Sequence, residues 1–337
     1  MTAATGQVAE EHGPTDPGTT RRDRARRRAR ATRGDSRLAF RLILPTIVLL
    51  GLVIGYPVIY AIVQSLKLDK ADAGINASGF FESGGKFVGG KYYSYWLHCG
   101  SKCPNGTTGH EFWPAVSTTV IFTVITLFFE IILGTIMALV MNRAFRGRSL
   151  VRAAILVPWA IPTAVTALMW KYMFQPHGVI NAVFGTHIIW TGSEWPARWA
   201  VIVADIWKTT PFIALLMLAG LQVIPDELYE SARVDGASAW QRFSSITLPL
   251  VKPALMVAAL FRILDVLRIF DSPYLLTGGG NNTTTLSILA VEELRSSPNS
   301  AAALSTITFL FIFAVAFILV RVFSMNVVQT QARTVKA

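Results

Sequence analysis

At 337 residues, 52% hydrophobic and only 15% charged, the chain is far from an ordinary soluble domain, in which about a quarter of residues are charged. Its net charge of +11 would suit a nucleic-acid partner, but the placement argues otherwise: residues 1–41 hold ten arginines against five acids and run straight into an apolar segment. That is a topology signal or a lipid-facing anchor, so nucleic acid is set aside as a partner.

A spanning helix needs roughly 20 consecutive apolar residues, and six stretches qualify: 42–66, 115–141, 153–174, 199–221, 254–276 and 301–323. Nothing between them alternates as barrel strands do, so an all-α polytopic membrane protein of six transmembrane helices is expected. The tail ahead of them, rich in Gly, Pro and Thr before its arginine run, reads as disordered. The first apolar run is 25 residues, too long for a cleaved signal core. It contains a Gly51-x-x-x-Gly55 pair that permits close helix packing.

Basic residues orient the chain. The arginine tail is placed in the cytoplasm, and an even number of spans returns residues 326–337 to the same side. Residues 142–149 carry three arginines, and Arg233, Arg242 and Lys252 lie between the fourth and fifth spans. By contrast, Arg198 is the only Lys or Arg in 175–198, and Arg295 the only one in 277–300. The long outer loop 67–114 mixes five lysines with acids, and long loops obey the rule weakly.

In that loop Cys99 and Cys103 fall outside the cell, where a disulfide can form. Free thiols, or half a metal site with His98 beside it, remain open. Sequons stand at Asn76, Asn105, Asn281 and Asn282. The stretch Gly79-Phe-Phe-Glu-Ser-Gly-Gly-Lys86 superficially suggests a phosphate loop, but lacks the four-residue gap and the following Ser or Thr. None of the five histidines lies in a span, and no H-E-x-x-H or G-x-S-x-G occurs. The chain is expected to be no enzyme and to hold no metal.

Charges inside the spans must face protein or water, because each costs roughly 2.5–3.5 kcal/mol at the bilayer centre. Glu130 stands alone in the second span, free to face a partner helix. Lys171, between Trp170 and Tyr172, is near a membrane edge and snorkels. Asp205, Trp207 and Lys208 cluster in the fourth span, ahead of a kink expected at Pro211. The fifth carries Arg262, Asp265, Arg268 and Asp271, three residues apart and alternating in sign. Two readings stand: a self-neutralised ladder bracing helices, or groups lining a pathway for a polar cargo.

Residues 227–253 interrupt the apolar pattern. Asp226 after Pro225 is a plausible N-cap, acids favour the first turn, and Gly236 is expected to end one short helix before Ser238 caps another. Pro249 and Pro253 should close the unit before the fifth span. Small residues (Ser231, Ala232, Ala237) would let another protein approach closely. The bland alternative is a plain interfacial helix.

This segment resembles the cytoplasmic signature of permease subunits of binding-protein-dependent ABC importers: Glu-Ala-Ala, three residues, Gly, nine residues, Ile-x-Leu-Pro. Here Glu230-Ser231-Ala232 precedes Gly236, and Ile246-Thr247-Leu248-Pro249 follows at the required distance. Asp235, Ala237, Phe243 and Pro253 are similar to the carbohydrate branch, the maltose-transporter type. So is Phe270-Asp271-Ser-Pro-Tyr274-Leu-Leu276-Thr277-Gly-Gly279-Gly280, with Asn281 where that branch usually has proline.

The resemblance covers roughly residues 40–325 and implies the ABC importer type I permease fold over 42–325, with 222–253 as the coupling segment. It implies docking of Glu230, Ser231, Ala232, Asp235, Gly236, Ala237, Leu248 and Pro249 into an ATPase subunit dimer, which holds the ATP and Mg; this chain holds no cofactor. The further partners implied are a second permease subunit in a heterodimer, an extracytoplasmic sugar-binding protein or lipoprotein, and membrane lipids. The carbohydrate-branch motifs imply an oligo- or disaccharide as cargo, and general likeness of tail and loops to an actinobacterial trehalose importer points to trehalose. The other class weighed is an ion-coupled secondary sugar transporter, which would usually show two related halves; no internal repeat is visible.

Overall fold

The computed structural model describes residues 40–69, 85–99, 103–104 and 107–334. The arginine tail up to residue 39, Asn76, Asn105 and most of the phosphate-loop-like stretch lie outside the described residues. Helix α1 (Phe40–Ser65) is apolar throughout and contains one wide π turn at Gly51–Gly55. The residues from Ala61 onward form a compact unit of their own.

In that unit α2 (Lys91–His98) precedes α3 (Phe112–Asn142), α4 (Arg148–Ala160) and α5 (Thr163–Met173). A short α6 (Val179–Phe184) leads to α7 (Glu194–Leu221) and α8 (Asp226–Val234). Then follow α9 (Ala239–Val266), α10 (Asp271–Thr277), α11 (Leu286–Ser296) and α12 (Pro298–Thr334). Among the described residues five helices are long and apolar enough to span a membrane, six if the bent pair α4–α5 counts as one broken span.

Two spans differ from the sequence reading. The third is not one helix: α4 and α5 meet at 92°. Pro162 is the cause, because a residue before proline avoids the helical region, and Ile161 is extended at φ −74°, ψ 134°. The fifth was expected to start after Pro253 and run to 276. Instead α9 begins at Ala239, passes both prolines and stops at Val266. A π turn at Phe243–Thr247 absorbs Pro249, whose missing N–H could not have closed the preceding turn. Pro211 sits inside an unbroken α7.

The centre of the unit is α7, packed against α3 and α9. Gly134 lets α3 and α7 touch: a Cβ there would lie 2.8 Å from Ile213 Cγ2. Apolar contacts gather in two clusters along these helices. One joins Ala138, Ile213, Met217, Leu221 and Ala258; the other joins Phe122, Ala200, Ile202, Val266 and Leu276. Between them, in sequence position on every helix, lie Glu130, Asp205 and Arg262.

A third cluster fastens α2 to α11 and to the start of α12 through Tyr92, Trp96, Leu286 and Leu304. Asp69 Oδ2 accepts from Asn299 N at 2.7 Å and from Ser297 Oγ at 3.1 Å. It thereby serves one of the open amides at the N-terminus of α12, and the hydroxyl of the residue before that helix, from a distant part of the chain. Cys99 and Cys103 are joined as a disulfide at the end of α2.

Candidate functional site

The buried charges form one network built around Arg262. Its Nε donates to Glu130 Oε2 at 2.7 Å, its Nη1 to Asp265 Oδ2 at 2.5 Å, and its Nη2 to Asp205 Oδ2. Glu130, Asp205 and Arg262 come from α3, α7 and α9 and are almost wholly buried. Thr209 Oγ1, one turn after Asp205, bonds Glu130 Oε1 at 2.5 Å. An unpaired ion at this depth would be costly, whereas every face of this guanidinium meets a carboxylate. The sequence marked Glu130 as facing a partner helix and missed Thr209, although its i+4 spacing from Asp205 was visible.

Lys208, also buried, bonds a different partner. Its Nζ donates to the Ile161 carbonyl at 2.7 Å, the group left open where α4 breaks. Arg268 and Asp271 fall in and after the turn that ends α9, both exposed. Among the described residues neither forms an ion pair. The self-neutralised ladder, one of the two readings of this span, does not form along its whole length: α9 stops at Val266 and its helical register is lost before Arg268 and Asp271, so within the series only Arg262–Asp265 pairs.

These groups enclose a polar cavity of about 310 Å³, lined by Asp205, Lys208, Arg262, Asp265, Arg268 and Asp271, with Thr163 and Phe270 at its wall. It opens beside a wider, mostly apolar groove of about 830 Å³ along α9, α11 and α12, walled by Phe261, Phe309 and Phe313. Trp207 does not join them. Two positions after Asp205 it points to the other side of α7, stacking edge-on against Trp170 at 5.9 Å and lining a separate apolar groove.

The second polar region is the turn between α8 and α9. Pro225, not Asp226, is the N-cap residue; Asp226 and Glu227 occupy the first turn. At the other end Ala237 N bonds Ala232 O at 2.9 Å and Gly236 N bonds Arg233 O at 3.1 Å, the paired bonds of a Schellman motif. Gly236 has φ +77°, a left-handed conformation that side chains resist. Ser238 then caps α9 in a full capping box with Gln241.

Tyr229 OH meets Thr247 Oγ1 at 3.0 Å and holds α8 against α9. Glu230, Ser231, Asp235, Gly236, Leu248 and Pro249 are exposed, while Ala232 and Ala237 are half-buried. Two large apolar side chains missed from sequence, Val234 at 88% and Trp240 at 72% exposure, flank the turn.

Residues 130–331 match the family described as the binding-protein-dependent transport system inner membrane component. The chain belongs to this family. Its members are membrane subunits of transport systems, which removes the ion-coupled alternative. Over 293 residues the chain is 36% identical to the trehalose transport system permease protein SugA of Mycobacterium tuberculosis, covering 86% of this chain and 89% of that one. It is 41% identical over 223 residues to the trehalose/maltose transport system permease protein MalF of Thermococcus litoralis, covering 64% and 76%. A chain of a bacterial ABC transporter involved in the import of alginate shares the fold, with TM-score 0.69 at 20% identity over 88% of this chain and 99% of that one. In this inner membrane component the family's type I permease fold places the Arg262 network within the spans and the α8–α9 turn at one end of them.

Proposed function

We propose that the chain is one of two permease subunits of an ATP-driven importer and forms part of the pathway for an oligo- or disaccharide, with trehalose the first candidate. A binding protein outside delivers the sugar. An ATPase dimer inside holds ATP and magnesium and grips the α8–α9 turn. Both termini then lie in the cytoplasm, and the Cys99–Cys103 bridge lies outside.

The observation that carries this reading is the pairing, on one chain, of an exposed preformed turn with a polar cavity inside the spans. The Schellman end of α8 and the capping box of α9 hold the turn without help from a partner. A partner that pushes on it pushes on α9, because α9 continues unbroken from Ala239 to Arg262 and the cavity wall. The wide groove bearing Phe261, Phe309 and Phe313 is the face for the second permease, which completes the cavity.

Sugars suit the cavity's chemistry. The carboxylates of Asp265 and Asp271 accept from hydroxyls, Arg268 donates, and Phe270 offers a flat face. Copurification from detergent extracts should recover an ATPase and a second permease. Proteoliposomes of that assembly should take up trehalose only with ATP and the binding protein. Uptake driven by a proton or sodium gradient without ATP would overturn the reading.

A further inference from the structure

Helix α10 has a polar cavity at each end. The first, at Asp271, is the one already described. The second, of about 390 Å³, lies at the opposite end, where Tyr274 and Thr277 of α10 face Lys171, Phe174 and Gln175 at the close of α5 and Trp190 in the connection to α7. That volume is within the range of small-molecule sites. Resting on the sugar reading above, we propose that this second cavity is a vestibule subsite for a neutral disaccharide, and that the cargo passes from it to the first cavity along α10.

Three observations carry the proposal. The first is the wall. Trp190 and Phe174 lie with ring centroids 4.9 Å apart, and Gln175, Lys171 and Thr191 stand beside them with donors and acceptors. Among the described residues no carboxylate lines this cavity. Flat apolar faces with amide, hydroxyl and ammonium groups match the C–H face and hydroxyl rim of a pyranose.

The second is the construction of the loop. Asn181, only 3% exposed, uses its whole amide to shape it. Its Nδ2 donates to Pro176 O at 3.0 Å and Ile188 O at 2.8 Å, and its Oδ1 accepts from Thr186 Oγ1 at 2.9 Å and Trp190 Nε1 at 3.0 Å. The indole is therefore aimed by a saturated buried amide. Asn281 Nδ2 pins the rim from the facing loop by bonding Thr191 O at 2.5 Å. A wall so held is ready before a ligand arrives, which lowers the ordering cost of binding.

The third is the link between the cavities. Phe270 lines the first, Tyr274 the second, and one helical turn stacks their rings with centroids 5.0 Å apart and planes 17° apart. A sugar leaving one aromatic face meets the next without an apolar gap. The Tyr274 hydroxyl is held by Arg295 Nη2 at 3.3 Å, which steadies the ring.

The test uses the whole assembly in nanodiscs, with a diazirine derivative of trehalose as probe and peptide mapping as readout. Label is expected in two sets of peptides, 171–191 with 274–278 and 205–209 with 262–272, and unlabelled trehalose should compete both away. Tyr274→Ala should lose the first set and keep the second, whereas Tyr274→Phe keeps both. In uptake, Tyr274→Ala should raise the half-saturating concentration about threefold to tenfold, the scale of one aromatic contact, with a smaller change in maximal rate. Label confined to the second set would leave the importer reading intact and remove the vestibule. Label in neither would overturn the sugar pathway and the vestibule with it. Labelling of 171–191 by a photoreactive phospholipid, uncompeted by trehalose, would show a lipid site instead.

Discussion

The Arg262 network and the α8–α9 turn are both polar interruptions in an apolar chain, yet they treat charge in opposite ways. Around Arg262 three carboxylates converge on one guanidinium and leave no face open. In the turn, Glu230 and Asp235 stay exposed beside the bare Val234 and Trp240. Water is scarce within the spans, so charges there must find each other. At the turn the backbone satisfies itself through caps, and the side chains are left for a partner. The first region is folded around its charges; the second presents them.

Breaking Arg262 should have the largest effect. Arg262→Met leaves Glu130 and Asp205 buried without their cation, a loss of about 3–5 kcal/mol. The yield of folded protein in mild detergent should collapse, and size-exclusion profiles report it. A monodisperse, thermally unchanged Arg262→Met would show that the network does not hold α3, α7 and α9 together. Arg268→Ala sharpens the contrast. With no ion pair to lose, it should leave yield unaltered while uptake falls several-fold.

Gly236→Asp comes next. A side chain at φ +77° costs roughly 1–2 kcal/mol and reshapes the turn, so uptake should be abolished although the protein reaches the membrane and pairs with its sister permease. ATPase activity stimulated by sugar-loaded binding protein is the readout. If both stimulation and ATPase retention survive, the turn is only an interfacial helix. Glu230→Ala should show a milder form of the same defect. Loss of one charge-assisted contact of about 1.5–3 kcal/mol weakens docking at least tenfold, seen as a shift in the ATPase concentration needed for reassembly.

The smallest effect is expected at the disulfide, remote from both regions. Maleimide applied to intact cells should label Cys99 and Cys103 only after mild reduction, with transport little changed. Labelling that requires permeabilised cells would invert the proposed orientation.

The departure at Asn281 shows how a local rule can register a difference without explaining it. Sequence comparison within the branch expects proline there, but the residue adopts φ +52°, which a ring fixed near −65° cannot reach. The side chain instead ties the loop to Thr191, a contact 90 residues away that no motif announces.

What the sequence determined by itself was everything local in origin. Hydrophobic length set the five long spans and the apolar segment that became α4–α5, and Gly236 with Ser238 and Gln241 set the helix–turn–helix, because capping and φ preference act within a few residues. Tertiary structure decided the rest. Arg262 took Glu130 and Asp205, 132 and 57 residues distant, alongside its neighbour Asp265, and left Asp271 outside the network. Trp207 turned away from Asp205 toward Trp170, the third span broke into α4 and α5, and the expected end of the fifth became the short helix α10 beside two cavities. Which charges meet depends on how α3, α7 and α9 pack, and that packing is a property of the assembled unit rather than of any one segment.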